Sequence, residues 1–349
     1  MSNAIKTGLA SYGMSSIVFH GPLLKVNPNF TITHIVERNN KNSKNAFPEA
    51  QILKNFDELC RVKDLELIIV NTPDPLHYSF AKKALEAGKH VVVEKPFTQS
   101  YKQAEELIEI AKKKGVTLSV FQNRRWDGDF LTVRKVIENK MLGRLVEFES
   151  HFDRYRNFIQ EDTWKESSDS GAGTLYNLGS HMIDQALVLF GMPKAVYADI
   201  RINRSNGEVD DSFDVNFKYN DLKVITRGSY LVREPGPRYI LHGTEGSFLK
   251  WGIDPQEQAL KEGFLPEGND WGKENPIEWG KINTNIDSLH VEGRIETIAG
   301  NYGVFYENIF DTIRNGSELY VKPEEAAAVI RIIEAAKQSN ESGKEIKIN

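Results

Sequence analysis

The chain has 349 residues, 40% hydrophobic and 27% charged, a length that exceeds what one compact core usually holds and so points to two domains. Its 44 basic and 49 acidic residues leave a net charge of −5, and a mildly acidic chain without a basic stripe argues against nucleic acid as a partner. Apolar runs such as 67–70 and 91–93 are far too short to cross a bilayer, and the opening MSNAIKTGLASYG lacks the apolar core of a secretory signal, so a soluble cytoplasmic protein is expected.

The first 120 residues alternate strand-like and helix-like segments. Ile5 to Leu9, Ile32 to Val36, Leu65 to Val70, His90 to Val93 and Val116 to Phe121 are apolar and β-rich. Between the later ones lie PLHYSFAKKALEAG and SYKQAEELIEIAKKKG, closed by Gly88 and Gly115, the second with Ser100 and Gln103 at capping-box spacing. Nearly all-apolar strands alternating with amphipathic helices predict a parallel sheet covered on both faces, a doubly wound α/β domain over 1–122. Cys60, the only cysteine, excludes an intrachain disulfide or a multi-cysteine metal site and reads as a small buried hydrophobe.

Past residue 122 the rhythm changes. LVEFESHF alternates strictly, with Val146, Phe148, Ser150 and Phe152 facing one way and Glu147, Glu149 and His151 the other, and SFDVNFKY repeats the pattern. Such alternation between short glycine turns predicts an α+β domain over 123–349 with a large, mostly antiparallel open sheet. A helix around Gly173 to Phe190 interrupts the strands, and two more, about Tyr302 to Arg314 and Pro323 to Ser339, close the chain.

Chemistry-bearing residues gather at strand ends. The turn Gly8-Leu9-Ala10-Ser11-Tyr12-Gly13, leading to Met14, follows the first strand, where a dinucleotide pyrophosphate meets a tight turn and a helix N-terminus. Gly8, Ala10, Tyr12, Gly13 and Met14 are the candidate contacts, with Ala10 where the pattern prefers glycine. The second strand ends in Glu37-Arg38. Glu37 suits the ribose diol of NAD, while Arg38 suits the 2′-phosphate of NADP, so NAD(P) is expected with the choice open. Asn71, Thr72, Pro73 and His77 follow another strand and read either as cofactor contacts or as a stiff turn with a helix cap.

Glu94-Lys95-Pro96 follows the buried HVVV run. Partial desolvation there would lower the Lys95 amine and let it hydrogen-bond a substrate oxygen. In the helix beginning GAGTLYNLGSHMID, Leu175, Leu178, Met182, Ala186 and Leu189 form an apolar stripe, and Asn177, His181 and Asp184 share another face. His181 suits proton transfer from an alcohol; His181 and Asp184 alone are too few for a metal, and none is expected. The glycine-rich entry Ser170 to Gly173 allows close backbone approach. Asn123, Arg125 and Trp126 at the domain junction, with Arg154 and Tyr155 after the next strand, suit a polyhydroxylated or anionic ligand, or surface ion pairs.

Together these residues resemble the Gfo/Idh/MocA oxidoreductase family. The resemblance spans the chain through the GxxxxG turn, TPxxxH, EKP, NxR and His181-x-x-Asp184 patterns. NRRWDGDFLT, ESHFDRYR and YILHGTEGSFLKWGIDPQE look like the subgroup of NADP-dependent scyllo-inositol 2-dehydrogenases. The resemblance implies a Rossmann domain followed by an α+β domain whose sheet mediates homodimer or homotetramer contacts. It implies hydride transfer between a cyclic polyol or sugar alcohol and NAD(P), with no nucleic-acid or membrane partner. Lys95 matches the catalytic lysine and His181 the catalytic histidine. Cofactor contacts would then fall on Gly8, Ala10, Tyr12, Gly13, Met14, Glu37, Arg38, Asn71, Thr72, Pro73, His77, Glu94, Lys95, Pro96, Asn123 and Arg125. Substrate contacts would fall on Lys95, Trp126, Arg154, Tyr155, Asn177 and His181. Asn177 stands where the family usually has Asp, which removes a carboxylate from the proton relay, and Asp184, one turn past His181, is the group that could compensate. A sugar reductase, an NAD-dependent glycoside hydrolase and a catalytically silent cofactor sensor remain alternatives.

Overall fold

The computed structural model describes residues 4–39, 41–161, 163, 166–167 and 172–348. The chain divides into two compact units. The first comprises Met1–Asn123, Gln256–Trp271 and Asn301–Ala327; the second comprises Arg124–Pro255, Gly272–Gly300 and Ala328–Asn349.

In the first unit, β1 (Ile5–Leu9), β2 (Phe30–Val36), β3 (Gln51–Leu53), β4 (Leu67–Val70), β5 (His90–Val93) and β6 (Leu118–Val120) form a parallel sheet in the order β3-β2-β1-β4-β5-β6. The order reverses between β1 and β4, and ligands of such sheets bind outside the strand C-termini at that point. All four residues of β4 are buried, as expected of a central strand covered on both faces. The helix before β6, α4 (Tyr101–Lys114), starts with Ser100 Oγ accepting the Gln103 N–H at 3.3 Å. It ends at Gly115, whose φ of +64° suits a residue without Cβ. The segment from 256 adds α7 (Gln256–Lys261), and the one from 301 adds α8 (Gly303–Asn315). Phe305 and Tyr306 of α8 pack on Phe121, with ring centroids 5.1 and 5.9 Å away. Cys60 is half-buried, its thiol pushed up to about 11 by burial and the charge of Asp57.

The helix after β1 contains a π turn, Ser16–His20, before α1 (Gly21–Val26). Pro22 would crowd the carbonyl four residues back and has no N–H to offer it. The wider turn accommodates it: Gly21 N–H bonds Ser16 O, five residues back. A Cβ on Gly21 would sit 2.4 Å from that same oxygen, so glycine is required.

The second unit is built on a sheet in the order β14-β13-β12-β11-β7-β10-β9-β8-β15. Its strands are β7 (Leu145–Asp153), β8 (Ala195–Arg201), β9 (Ser212–Lys218), β10 (Lys223–Ser229), β11 (Tyr239–Gly243), β12 (Gly246–Lys250), β13 (Gly280–Ile286), β14 (Leu289–Ile295) and β15 (Ile346–Lys347). β7 and β10 pair in parallel; the other pairings are antiparallel. Phe148, Ser150 and Phe152 of β7 and Phe213, Val215 and Phe217 of β9 are buried. The same unit holds α5 (Gly128–Glu138), α6 (Ser180–Phe190) and, from residue 328 on, α9 (Pro323–Ser342). A π turn, Leu175–Gly179, leads into α6, whose Phe190 packs edge-on against Phe148 at 5.2 Å.

On the other face of β7, His151 sits between Glu149 Oε2 at 3.0 Å and Asp153 Oδ2 at 3.7 Å. Burial lowers the imidazole, but the two carboxylates together hold it above its ordinary 6.5. A raised folded-state value contributes stability that is complete below pH 6.5 and lost as pH rises through the folded value. Thermal melts from pH 6 to 9 are therefore expected to show a decline in Tm above 6.5 that is shallower in His151→Gln; equal slopes would contradict the assignment.

Candidate functional site

The turn after β1 is tied to the end of β4 by Asn71. Its Oδ1 accepts the Ser11 N–H at 3.1 Å, its Nδ2 donates to Ser11 O at 3.0 Å and to Ser16 Oγ, and its carbonyl accepts Ser11 Oγ at 2.8 Å. Ala10 is buried, its N–H bonded to Ile69 O at 3.0 Å. Gly8 lies inside β1, where a Cβ would meet Leu59 Cδ1 at 2.7 Å, so this glycine serves packing. Gly13 is open: a Cβ there would have only Ser11 Oγ, at 4.0 Å, within reach. Met14, at the helix start, is exposed. Thr72 Oγ1, just past Asn71, is buried without a hydrogen-bond partner. An open glycine turn, a helix start and an orphaned hydroxyl at a sheet's reversal point fit a dinucleotide.

At the end of β2 the Glu37 carboxylate is occupied by its own loop. Asn42 N–H donates to Oε1 at 3.1 Å, Ser43 N–H donates to Oε2 at 3.2 Å, and Ser43 Oγ donates to Oε2 as well. Arg38 is exposed. Tyr12 packs edge-on to Phe47 at 6.3 Å, its phenol raised by burial and by the charge of Glu37.

His77 opens α3 (His77–Glu86) and is fully buried. Its ring joins two strand-end loops, with Nδ1 2.8 Å from Pro96 O and Nε2 2.9 Å from Thr72 O; Pro73 is exposed. Lys95, half-buried, directly follows β5, and its N–H donates to Glu94 Oε2 at 3.0 Å. Glu94 Oε1 lies 2.9 Å from His20 Nε2. Burial raises the Glu94 carboxyl, but the His20 bond and charge, with the charges of Lys95 and His77, bring it below its ordinary value.

In the second unit Asp210 anchors the start of the α6 helix. It accepts the Leu175 N–H at 2.7 Å and Thr174 Oγ1 at 2.9 Å, and burial raises its carboxyl despite those bonds. Gly173 has a φ of +104°, and a Cβ there would meet Asp210 Oδ1 at 2.1 Å. Ser170 and Gly171 lie outside the described residues. Asn177, within the π turn, is half-buried and His181 is 5% exposed. Asp184 is committed elsewhere: Arg125 Nε donates to its Oδ2 at 2.8 Å and Nη2 to its Oδ1 at 2.7 Å. Its carboxylate is thus charge-paired with Arg125. The turn carrying Arg125 is fixed to α6 again by Gln185 Nε2, which donates to Arg124 O at 2.9 Å while its Oε1 accepts the Tyr239 hydroxyl at 2.8 Å. Asn123 is buried and Trp126 half-buried. Arg154 stacks on Phe152 at 5.0 Å, and exposed Tyr155 lies under Arg233 at 4.2 Å.

His20, Tyr306 and Asp210 were not singled out in the sequence. A histidine inside the apolar run SIVFHGPLL is the signal that marks the first, since a buried imidazole needs partners. Among the described residues no group of three or more His, Cys, Asp or Glu is placed to hold a metal, and no helix is long and apolar enough to cross a membrane.

Residues 5–122 match the family model described as oxidoreductase family, NAD-binding Rossmann fold, and 134–348 the one described as oxidoreductase family, C-terminal alpha/beta domain, of the Gfo/Idh/MocA set. The chain is 42% identical over 346 residues to scyllo-inositol 2-dehydrogenase (NADP+) IolW of Bacillus subtilis strain 168, covering 99% of this chain and 96% of that one. It is similar to a crystal structure of a Bacteroides fragilis NCTC 9343 protein provisionally assigned as an oxidoreductase, with a TM-score of 0.91, 50% identity and coverage of 99% and 100%. For the Bacillus subtilis protein YvaA, likewise provisionally assigned, the TM-score is 0.95 at 42% identity, with coverage of 99% and 100%.

Breaking the Arg125–Asp184 pair removes the Arg125 charge from a buried carboxylate. Arg125→Met is expected to cost about 3–5 kcal/mol in urea unfolding, and Arg125→Met with Asp184→Leu to recover more than half of it. A double variant no more stable than the single one would show that the pair is not the dominant partnership.

Proposed function

The chain belongs to the Gfo/Idh/MocA oxidoreductase family, and from that premise we propose that it oxidises a ring secondary alcohol of a cyclic polyol, an inositol first, with NADP+. The observation that carries this is Lys95, half-buried at the end of a central parallel strand. The inositol assignment draws on the named activity of the Bacillus relative. The first unit holds the dinucleotide through the β1 turn, Asn71, Thr72 and the Glu94–Pro96 segment, and the second unit supplies substrate contacts.

When bound, the nicotinamide supplies the hydride acceptor. His181 takes the hydroxyl proton as the ring C–H is lost, leaving a ketone. Lys95 holds the same oxygen and stabilises the negative charge that develops on it. Asn177 cannot ionise, so it orients the substrate by hydrogen bonding. Arg154, Tyr155 and Trp126 supply polar and stacking contacts to a polyhydroxylated ring.

Preference for NADP+ rests on Glu37. A ribose diol would have to share a carboxylate that already accepts three donations from Asn42 and Ser43. Arg38 beside it is exposed, and residues 38–48 contain Arg38, Lys41 and Lys44 with no acid. A 2′-phosphate therefore meets a locally cationic loop. Self-association belongs to the same proposal, through the sheet face that carries Glu147, Glu149 and His151, and predicts a sedimenting species larger than one chain.

Lys95→Met and His181→Gln are each expected to lower kcat with scyllo-inositol by about 10²–10⁴-fold, and His181→Gln to retain NADPH affinity. Unchanged turnover in Lys95→Met would overturn the mechanism. Arg38→Ala is expected to raise the KM for NADP+ roughly 10–100-fold, the size of one lost charge-assisted bond, and to leave the KM for NAD+ nearly unchanged. Equal losses for both cofactors would remove Arg38 from the 2′-phosphate.

A further inference from the structure

Behind Lys95 lies a chain of buried side chains that none of the steps above uses. The Tyr306 hydroxyl is 2.6 Å from His20 Nδ1, His20 Nε2 is 2.9 Å from Glu94 Oε1, and Glu94 Oε2 accepts the Lys95 N–H at 3.0 Å. Tyr306 and His20 are wholly buried and Glu94 is 8% exposed. Aromatic rings wall the chain: Phe121 lies 4.6 Å from the His20 ring, and Phe305 lies 5.1 Å from Phe121.

The chemistry of the three groups gives the chain a direction. A phenol this deeply buried keeps its proton, being raised well above its ordinary range by burial and by the charge of Glu94. With the phenol donating to His20 Nδ1, the hydrogen on His20 Nε2 faces Glu94. Every polar hydrogen then points towards Glu94, which collects one donation on each oxygen. The charged or titratable groups that face Glu94 are His20 from the helix after β1, His77 from α3, Tyr306 from α8 and Lys95 itself.

We propose that Tyr306, His20 and Glu94 are positioning residues for Lys95: the chain holds Glu94 as a carboxylate, whose charge keeps the adjacent Lys95 amine protonated, so that Lys95 meets the substrate oxygen as a fixed cation and not as a proton acceptor. The proposal deepens the reading that Lys95 binds the reacting oxygen, and it rests on that reading. Desolvation at a strand end lowers an amine, and a fixed neighbouring carboxylate opposes that lowering. The division of labour follows: Lys95 stabilises charge and His181 alone takes the proton.

The test titrates Lys95 directly, without substrate or cofactor, through the pH dependence of its labelling by an amine-reactive reagent, quantified by peptide mass spectrometry. Glu94→Gln is nearly isosteric and is expected to move the Lys95 midpoint down by about one pH unit or more. His20→Leu leaves Glu94 buried without its side-chain donor, favours the protonated carboxyl and is expected to do the same. His20→Gln, whose amide can still donate, is expected to restore most of the wild-type midpoint. Tyr306→Phe is expected to give a smaller shift in the same direction. An unchanged midpoint in Glu94→Gln would overturn the proposal, as would His20→Gln behaving like His20→Leu. A shifted midpoint in a protein that oxidises no polyol would leave the chain standing and remove the dehydrogenase reading; normal turnover with unshifted midpoints would do the reverse.

Discussion

A carboxylate taken out of water has to be met by donors, and four of them shape both units around the candidate site residues. Glu37 gathers the loop from Asn42 to Ser43. Glu94 holds the backbone at Lys95 and reaches back to His20. Asp210 caps the helix that carries His181, and Asp184 clamps Arg125. In each case the acid fixes the position of its neighbours. Asp184 and Glu37 already accept donors from their own chain, which leaves fewer acceptor positions for a ligand.

The two helices that carry His20 and His181 share a second device. Each contains a π turn, Ser16–His20 in one and Leu175–Gly179 in the other. An extra residue per turn rotates every later side chain relative to the α-helical pattern. His20 ends the first wide turn and points its ring at Glu94; His181 follows the second by two residues. At Gly179 a Cβ would approach Leu175 Cδ1 to 2.9 Å and the Phe213 ring to 3.2 Å, so glycine lets this turn pack tightly on β9. Local backbone irregularity, set by Pro22 in one helix and accompanied by close packing in the other, thus decides where both histidines sit.

Much of the scaffold was legible in the sequence because it depends on local patterns. Continuous apolar runs marked β4 and β5, strict alternation marked β7 and β9, and Ser100 with Gly115 bounded α4. β3 and β15 escaped because three and two residues are too few to show a period. The return of 256–271 and 301–327 to the first unit is a long-range packing choice; the aromatic side chains of α8 show that the helix is buried, not against what. At the site, strand-end position pointed to Lys95 and to the β1 turn. The bidentate grip of Arg125 on Asp184, and the line from Tyr306 through His20 to Glu94, join residues 59, 286 and 74 positions apart, and no spacing rule in one chain encodes such pairs. Helical spacing placed Asn177, His181 and Asp184 on one face, and the π turn at 175–179 breaks the regular period on which that placement relied.

The most direct measurement follows the hydride itself. The purified protein would be incubated with NADP+ and scyllo-inositol deuterated at its ring carbons, and the nicotinamide product analysed by NMR and mass spectrometry. The account predicts one deuterium on the nicotinamide ring of NADPH for each inosose formed, with less transfer to NAD+. Binding of NADPH without deuterium transfer from this or any related cyclic polyol would contradict it and leave a protein that holds the cofactor without using it.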